Sequence, residues 1–268
     1  MPSRRVLIVT AAVVVVAVVI AVALSQRSDG ERTAALEAWH ADLRAWESEQ
    51  TTALAPPEGV DLSPGPATWL SPVWAGGAAD AADADAVNAA CTTLTAYGDQ
   101  VDFAPEPPAA PAELEPTAQE SEQFEADQAA LAGLRAGLTE PLSEVRRYCG
   151  TVPTLLAARG EGDAADAADA NRRIAESLRV QCPLPELEAV CAATVEAAEA
   201  LAGGAGEPEA VRARWAEAVV GSDLPGLADA DPQQPEDVEA ALAEVVTEHA
   251  DGVAGQVQEV ASEFVGTW

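Results

Sequence analysis

The sequence contains no lysine: its 14 basic residues are all arginine, against 45 Asp+Glu in 268 residues. A formal net charge of −31 excludes binding of DNA or RNA through the phosphate backbone, because that binding rests on Lys and Arg neutralising phosphates. Aromatic residues are scarce too, with 6 Trp, 3 Phe and 2 Tyr, so a core must be built mainly from aliphatic side chains. Four Cys and two His are too few for a multi-zinc protein. The GxSxG, HExxH, P-loop, GxGxxG, EF-hand and SxxK patterns are missing, which removes the usual signatures of hydrolases, metalloproteases and nucleotide enzymes. No motif implies a cofactor. Beyond residue 24 no run of alternating β-branched residues occurs, so strands are not expected.

One long hydrophobic run is present. Residues 6–24 are apolar except for Thr10. As a helix they span roughly 28 Å, close to the hydrocarbon core of a bilayer. Arg4 and Arg5 precede the run, while Arg27 and Arg32 on the far side are offset by Asp29 and Glu31. This asymmetry predicts a cytoplasmic tail at 1–5, a transmembrane signal-anchor at 6–24 and everything later outside the cytoplasm. The tail is too short for a signalling domain. Ala21-Val22-Ala23 also offers small residues at signal-peptidase spacing, so a cleaved, secreted form is the alternative. Residues 1–24 hold two Arg and no acids, which leaves 12 basic and 45 acidic side chains, or −33, on the exported part.

Beyond the anchor, helical periodicity dominates. Leu36, Trp39, Leu43 and Trp46 recur at 3, 4 and 3, predicting a stalk-like helix over 25–54 that Pro56-Pro57 ends. A Pro/Trp loop at 55–77 follows. The remainder, 78–268, reads as an extracytoplasmic helical domain interrupted by a Pro-rich linker at 104–116. Its helices are predicted at about 78–97 (Val87, Cys91, Leu94, Tyr97), 117–149 with a kink at Pro141, a segment 154–181 broken at Gly160-Glu161-Gly162 with Ile174 and Leu178 facing inward afterwards, 185–202, 208–220 and 236–265. Gly150 and Pro153 are expected to close the second of these. Leu, Val, Ile and Phe make up only 43 of the 244 residues outside 1–24, a thin core for a charged chain. The 61 alanines favour helix and permit close helix approach. The fold class is therefore all-α: an N-terminal transmembrane helix, then an antiparallel helical bundle with Pro-rich linkers.

Outside the cytoplasm Cys91, Cys149, Cys182 and Cys191 are expected to form two disulfides. The spacing allows three connectivities. The nearest-neighbour choice, Cys91–Cys149 with Cys182–Cys191, requires Cys182 to fold back onto a helix that Pro185 starts. None of the spacings is CxxC, so thiol–disulfide catalysis has no motif support.

The candidate partner-binding residues are Trp69 and Trp74. Exposed in a Pro-rich loop, they would suit a glycan or Pro-rich peptide; folded back, they would close the end of the bundle. Trp39 and Trp46 could continue into a parallel homo-oligomer, though two heptads fall short of a coiled coil. His249 has valine or glycine at all four helix-face positions around it, so no metal site is expected there. Asp163, Asp166 and Asp169 read as a solvated acidic face. The functional expectation is a non-catalytic binding or structural role at the cell envelope, held to the membrane through residues 6–24, with an envelope protein or glycan as partner. The alternative from another class is an envelope enzyme acting on glycan or peptide through acidic residues near Trp69 and Trp74.

Overall fold

A computed structural model describes residues 30–63, 68–74, 81–111, 117–159 and 167–267. The predicted tail at 1–5 and anchor at 6–24 lie outside these residues. Among the described residues no helix is long and apolar enough to cross a membrane, and every regular element is helical. In order these are α1 (30–53), a 3-10 turn at Thr68–Leu70, α2 (Ala81–Asp102), α3 (Ala118–Arg159), α4 (Ala167–Val180), a 3-10 turn at Pro185–Leu187, α5 (Glu188–Ala202), α6 (Pro208–Val220) and α7 (Pro235–Thr267). The chain forms two compact units. Of the described residues, the first takes 30–53, 105–111 and 117–131; the second takes 54–63, 68–74, 81–104, 132–159 and 167–267.

In the first unit the α1 stripe is buried as its periodicity predicts, with Trp39, Leu43 and Trp46 all at 6% exposure or less. The two indoles hold the Pro-rich segment. Trp39 Nε1 donates to Pro108 O at 2.8 Å and Trp46 Nε1 to Pro105 O at 2.9 Å. Proline has no N–H to donate, but its carbonyl accepts freely. Thr117 and Glu120 cap α3 reciprocally: Thr117 N donates to Glu120 Oε2 at 2.6 Å and Glu120 N to Thr117 Oγ1 at 3.3 Å. This is the capping box that T-x-x-E encodes.

In the second unit α2 and α3 run antiparallel. Cys91 meets Cys149, and Gly98 lies opposite Leu142, where a Cβ would sit 3.3 Å from Leu142 Cδ2. The small residue lets the helices approach, and α2 continues through Gly98 to Asp102 instead of stopping near 97. Arg135 closes the far end of α2, its Nη2 donating to Ala104 O at 2.6 Å and its Nε to Val101 O at 3.3 Å. Cationic donors suit helix C-terminal carbonyls.

The expected stop at Gly150 and Pro153 does not occur: α3 runs unbroken to Arg159 with both Pro141 and Pro153 inside it. An interior proline costs about 3 kcal/mol. Burial of Val152, Leu155 and Leu156, each at 4% exposure or less, supplies roughly 1.5–3 kcal/mol apiece and outweighs it. The later helices end where predicted. Gly204, at φ +64°, closes α5 in a Schellman arrangement: Ala205 N donates to Ala200 O at 2.8 Å and Gly204 N to Leu201 O at 3.3 Å.

All four cysteines are paired, as Cys91–Cys149 with a Cα separation of 5.5 Å and Cys182–Cys191 with 5.9 Å. The second pair is possible because Pro185 starts a 3-10 turn, not the α-helix itself, and α5 begins only at Glu188. That turn folds Cys182 back beside the first turn of α5.

Candidate functional site

Within the second unit, residues 62–63 and 68–74 of the Pro/Trp loop are strapped to the helices by side chains that reach them. Tyr148, in the middle of α3, donates its hydroxyl to Leu62 O at 2.5 Å. Thr194 of α5 donates Oγ1 to Leu70 O at 2.7 Å and accepts Trp215 Nε1 of α6 at 3.1 Å. Asn171 of α4 pairs with Val73 twice, accepting its N–H at 2.9 Å and donating to its carbonyl at 3.0 Å. Arg159, at the end of α3, donates Nη2 to Ser71 Oγ at 3.3 Å. Three helices, α3, α4 and α5, therefore bond directly to one short segment. This satisfies backbone groups that a loop over an apolar core would otherwise leave unpaired.

The two candidate tryptophans differ. Trp69 is 1% exposed and meets the Tyr148 ring edge-on at a centroid separation of 5.8 Å, so it presents no face to a partner in this arrangement. Trp74 is half-buried, edge-on to Trp215 at 5.8 Å, with the Arg212 guanidinium 5.7 Å from its ring centroid. Arg212 is in turn held by Glu239 through two bonds, at 3.0 and 2.9 Å. Neither indole N–H finds a partner.

The electrostatics of the strap follow from burial. Desolvation pushes the Tyr148 phenol far above its ordinary value, with the charges of Asp61 and Asp251 adding to the effect, so it stays a neutral donor. Desolvation lowers the Arg159 guanidinium to about 10, and the Glu239 charge opposes the shift. Arg159 remains a cation at neutral pH, 5% exposed and with its Nε unpartnered. The strap thus assembles hydrogen-bond donors and one pinned ion pair, a set suited to holding structure or presenting an aromatic rim.

Other candidates fall elsewhere. His249 is half-buried on α7. Asp169 is tied to Arg172 and Arg173 at 2.5 and 2.9 Å; Asp163 and Asp166 lie outside the described residues. Among the described residues no group of three His, Cys, Asp or Glu could hold a metal ion. In the first unit His40 Nε2 lies 3.0 Å from Glu120 Oε1. That unit also buries Asp127 to 2% exposure, with Oδ1 accepting from Gln123 at 3.1 Å and Oδ2 unpartnered. Burial raises the Asp127 carboxyl, and burial followed by the Asp127 charge raises Glu47.

Asp127, Arg159, Asn171 and Thr194 share a signal in the sequence: each sits at an apolar-stripe position. Asp127 fills the gap between Phe124 and Leu131, and Arg159 follows Val152, Leu155 and Leu156. Asn171 precedes Ile174 and Leu178, and Thr194 lies between Cys191 and Ala198. A polar residue on a buried stripe must find partners. Comparison with protein-family models, curated proteins and solved structures finds no match to the chain.

Proposed function

We propose that this is a single-pass, membrane-anchored protein whose helical units lie outside the cytoplasm and serve a non-catalytic binding or structural role at the cell envelope. The carrying observation is the pairing of all four cysteines in a chain whose N-terminal residues 6–24 are an uninterrupted apolar run but for Thr10. Disulfides persist where thiols are not kept reduced, and a run of that length suits a bilayer. The half-buried Trp74, flanked by Arg212 and Glu239, is the aromatic surface best placed for a protein or glycan partner. Release after Ala23 is the second reading, supported by Ala21-Val22-Ala23.

Topology tests this reading. In fractionated cells the protein should stay with membranes through an alkaline wash and leave only with detergent. In intact cells stripped of their outer layers, added protease should degrade residues beyond 24. Recovery in the soluble fraction with protection from protease would refute it.

A further inference from the structure

The two disulfides are built differently. Cys91, Cys149 and Cys191 all lie inside helices, whereas Cys182 lies in the irregular stretch between α4 and the 3-10 turn. Cys91–Cys149 joins α2 and α3, which Gly98 packing on Leu142 and Arg135 on the α2 carbonyls also hold together. Cys182–Cys191 closes a local loop, with a sequence separation of 9. Cys182 is half-buried and Cys191 is 3% exposed. Both line an open depression of about 630 Å³, whose walls also carry Arg147, Arg179, Glu188 and Glu196. Val180, 86% exposed, belongs to the same walls.

We propose that Cys182–Cys191 is a thiol-exchange site, opened by an external thiolate that enters this depression and attacks Cys182 Sγ. In-line attack needs room along the S–S axis and freedom of the attacked residue, and Cys182 alone among the four is released from helical constraint. The incoming sulfur bonds to Cys182, the S–S bond breaks and Cys191 departs as a thiolate, which takes a proton from water. A second thiolate then displaces Cys182 from the mixed disulfide. Two thiols are oxidised to one disulfide and the protein disulfide is reduced by the same two electrons. The chain as a whole repels anionic reagents, and Arg179 is ion-paired with Glu199, so Arg147 is the wall cation set against Glu188 and Glu196 as a thiolate approaches. Opening the pair frees the segment that seats Leu184 and Leu187, both buried, while Cys91–Cys149 keeps α2 on α3.

The test uses the purified, oxidised full chain in detergent, so it is independent of where the protein resides. Reduced glutathione is one probe and a CxxC dithiol protein of the thioredoxin class the other, with timed alkylation and peptide mapping of all four cysteines. Cys182 and Cys191 should become alkylated at least about tenfold faster than Cys91 and Cys149. Opening by glutathione alone would assign a small-thiol site, and faster opening by the dithiol protein an oxidoreductase site. Arg147→Glu, which adds negative charge at the mouth, should slow glutathione attack about threefold to tenfold without moving the Cys91–Cys149 rate. Equal rates for the two disulfides, or faster opening of Cys91–Cys149, would overturn the proposal. A glutathione rate unmoved by Arg147→Glu would overturn the depression as the route of entry.

Discussion

Asn171 and Val73 are locked in a two-bond ring: the carboxamide accepts the Val73 N–H at 2.9 Å and donates to the Val73 carbonyl at 3.0 Å. The amide mimics a neighbouring β-strand for a single residue. Asn171 is 1% exposed, so its carboxamide is shielded from water, while Val73 is half-buried. A segment with no regular ladder of its own is thereby given both halves of one.

Asn171→Leu keeps the approximate volume and removes both bonds. It leaves an N–H and a carbonyl of Val73 unpaired, at about 1–3 kcal/mol for each buried group. Thermal unfolding followed by circular dichroism should show a loss of about 2–4 kcal/mol. Limited proteolysis should show new cleavage near 68–74. An unchanged unfolding midpoint would mean that the strap is held by Trp69 and Leu70 burial alone.

Thr194→Val is nearly isosteric and strips two bonds at once, one to Leu70 O and one from Trp215 Nε1. The cost should be about 1.5–3 kcal/mol, close to that of Asn171→Leu. Because both side chains hold one strap, the double variant should lose less than the sum of the single losses. A double-mutant cycle read by chemical denaturation checks this.

Arg159 is a different case, because a buried cation with an unpartnered Nε is not a favourable element. Its Nη2 donates to the Ser71 hydroxyl. Arg159→Met preserves the stem and removes the charge, so stability should stay level or rise by about 1 kcal/mol. Arg212→Met should instead destabilise, by about 1–2 kcal/mol, since it breaks the bidentate pair with Glu239 and uncovers Trp74. Denaturant unfolding of the two variants side by side separates the roles.

Asp127 and Glu47 predict a pH dependence for the first unit. Both folded-state values are raised, chiefly by burial, so folding favours their protonated forms. That contribution is fully present below the ordinary carboxyl range and is lost as pH rises through the raised folded values. The charged and polar groups around them are Asp127 and Gln123 on α3 and Glu47 and Arg44 on α1. Asp127→Asn removes the charge at constant shape. It should flatten hydrogen-exchange protection of 118–131 between pH 4 and 7 and raise the protection at pH 7. Wild-type protection that instead rises steadily with pH would contradict the assignment.

Much of the fold was legible as periodicity. The stripes of α1, α5, α6 and α7 predicted those helices because most of their apolar positions are buried, with Leu36, Leu201 and Val260 half-buried. Two boundaries were not legible, since they depend on what lies across the interface. Gly98 lies inside a helix where Leu142 of the facing helix takes the space of a side chain, and Pro153 stays inside one because the aliphatics beside it, Val152, Leu155 and Leu156, are buried. The strap was the least legible part. Loop residues Trp69 and Trp74 stand out as aromatics, whereas the loop is positioned by Tyr148, Arg159, Asn171 and Thr194, which come from three helices distant in sequence. The pairing Cys182–Cys191 is the nearest-neighbour choice among three connectivities; the fold-back it needs was not legible, because a 3-10 turn and an α-helix start with the same Pro-x-Leu signal.

The central claim is that an anchored chain carries its disulfide-bonded units outside the cytoplasm. The most direct test is the intact mass of the protein recovered from its own membranes after alkylation without reductant. The account predicts recovery in the membrane fraction, a mass that includes residues 6–24, and four cysteines that take alkylating reagent only after reduction. A soluble species whose four cysteines are alkylated without reductant would contradict it.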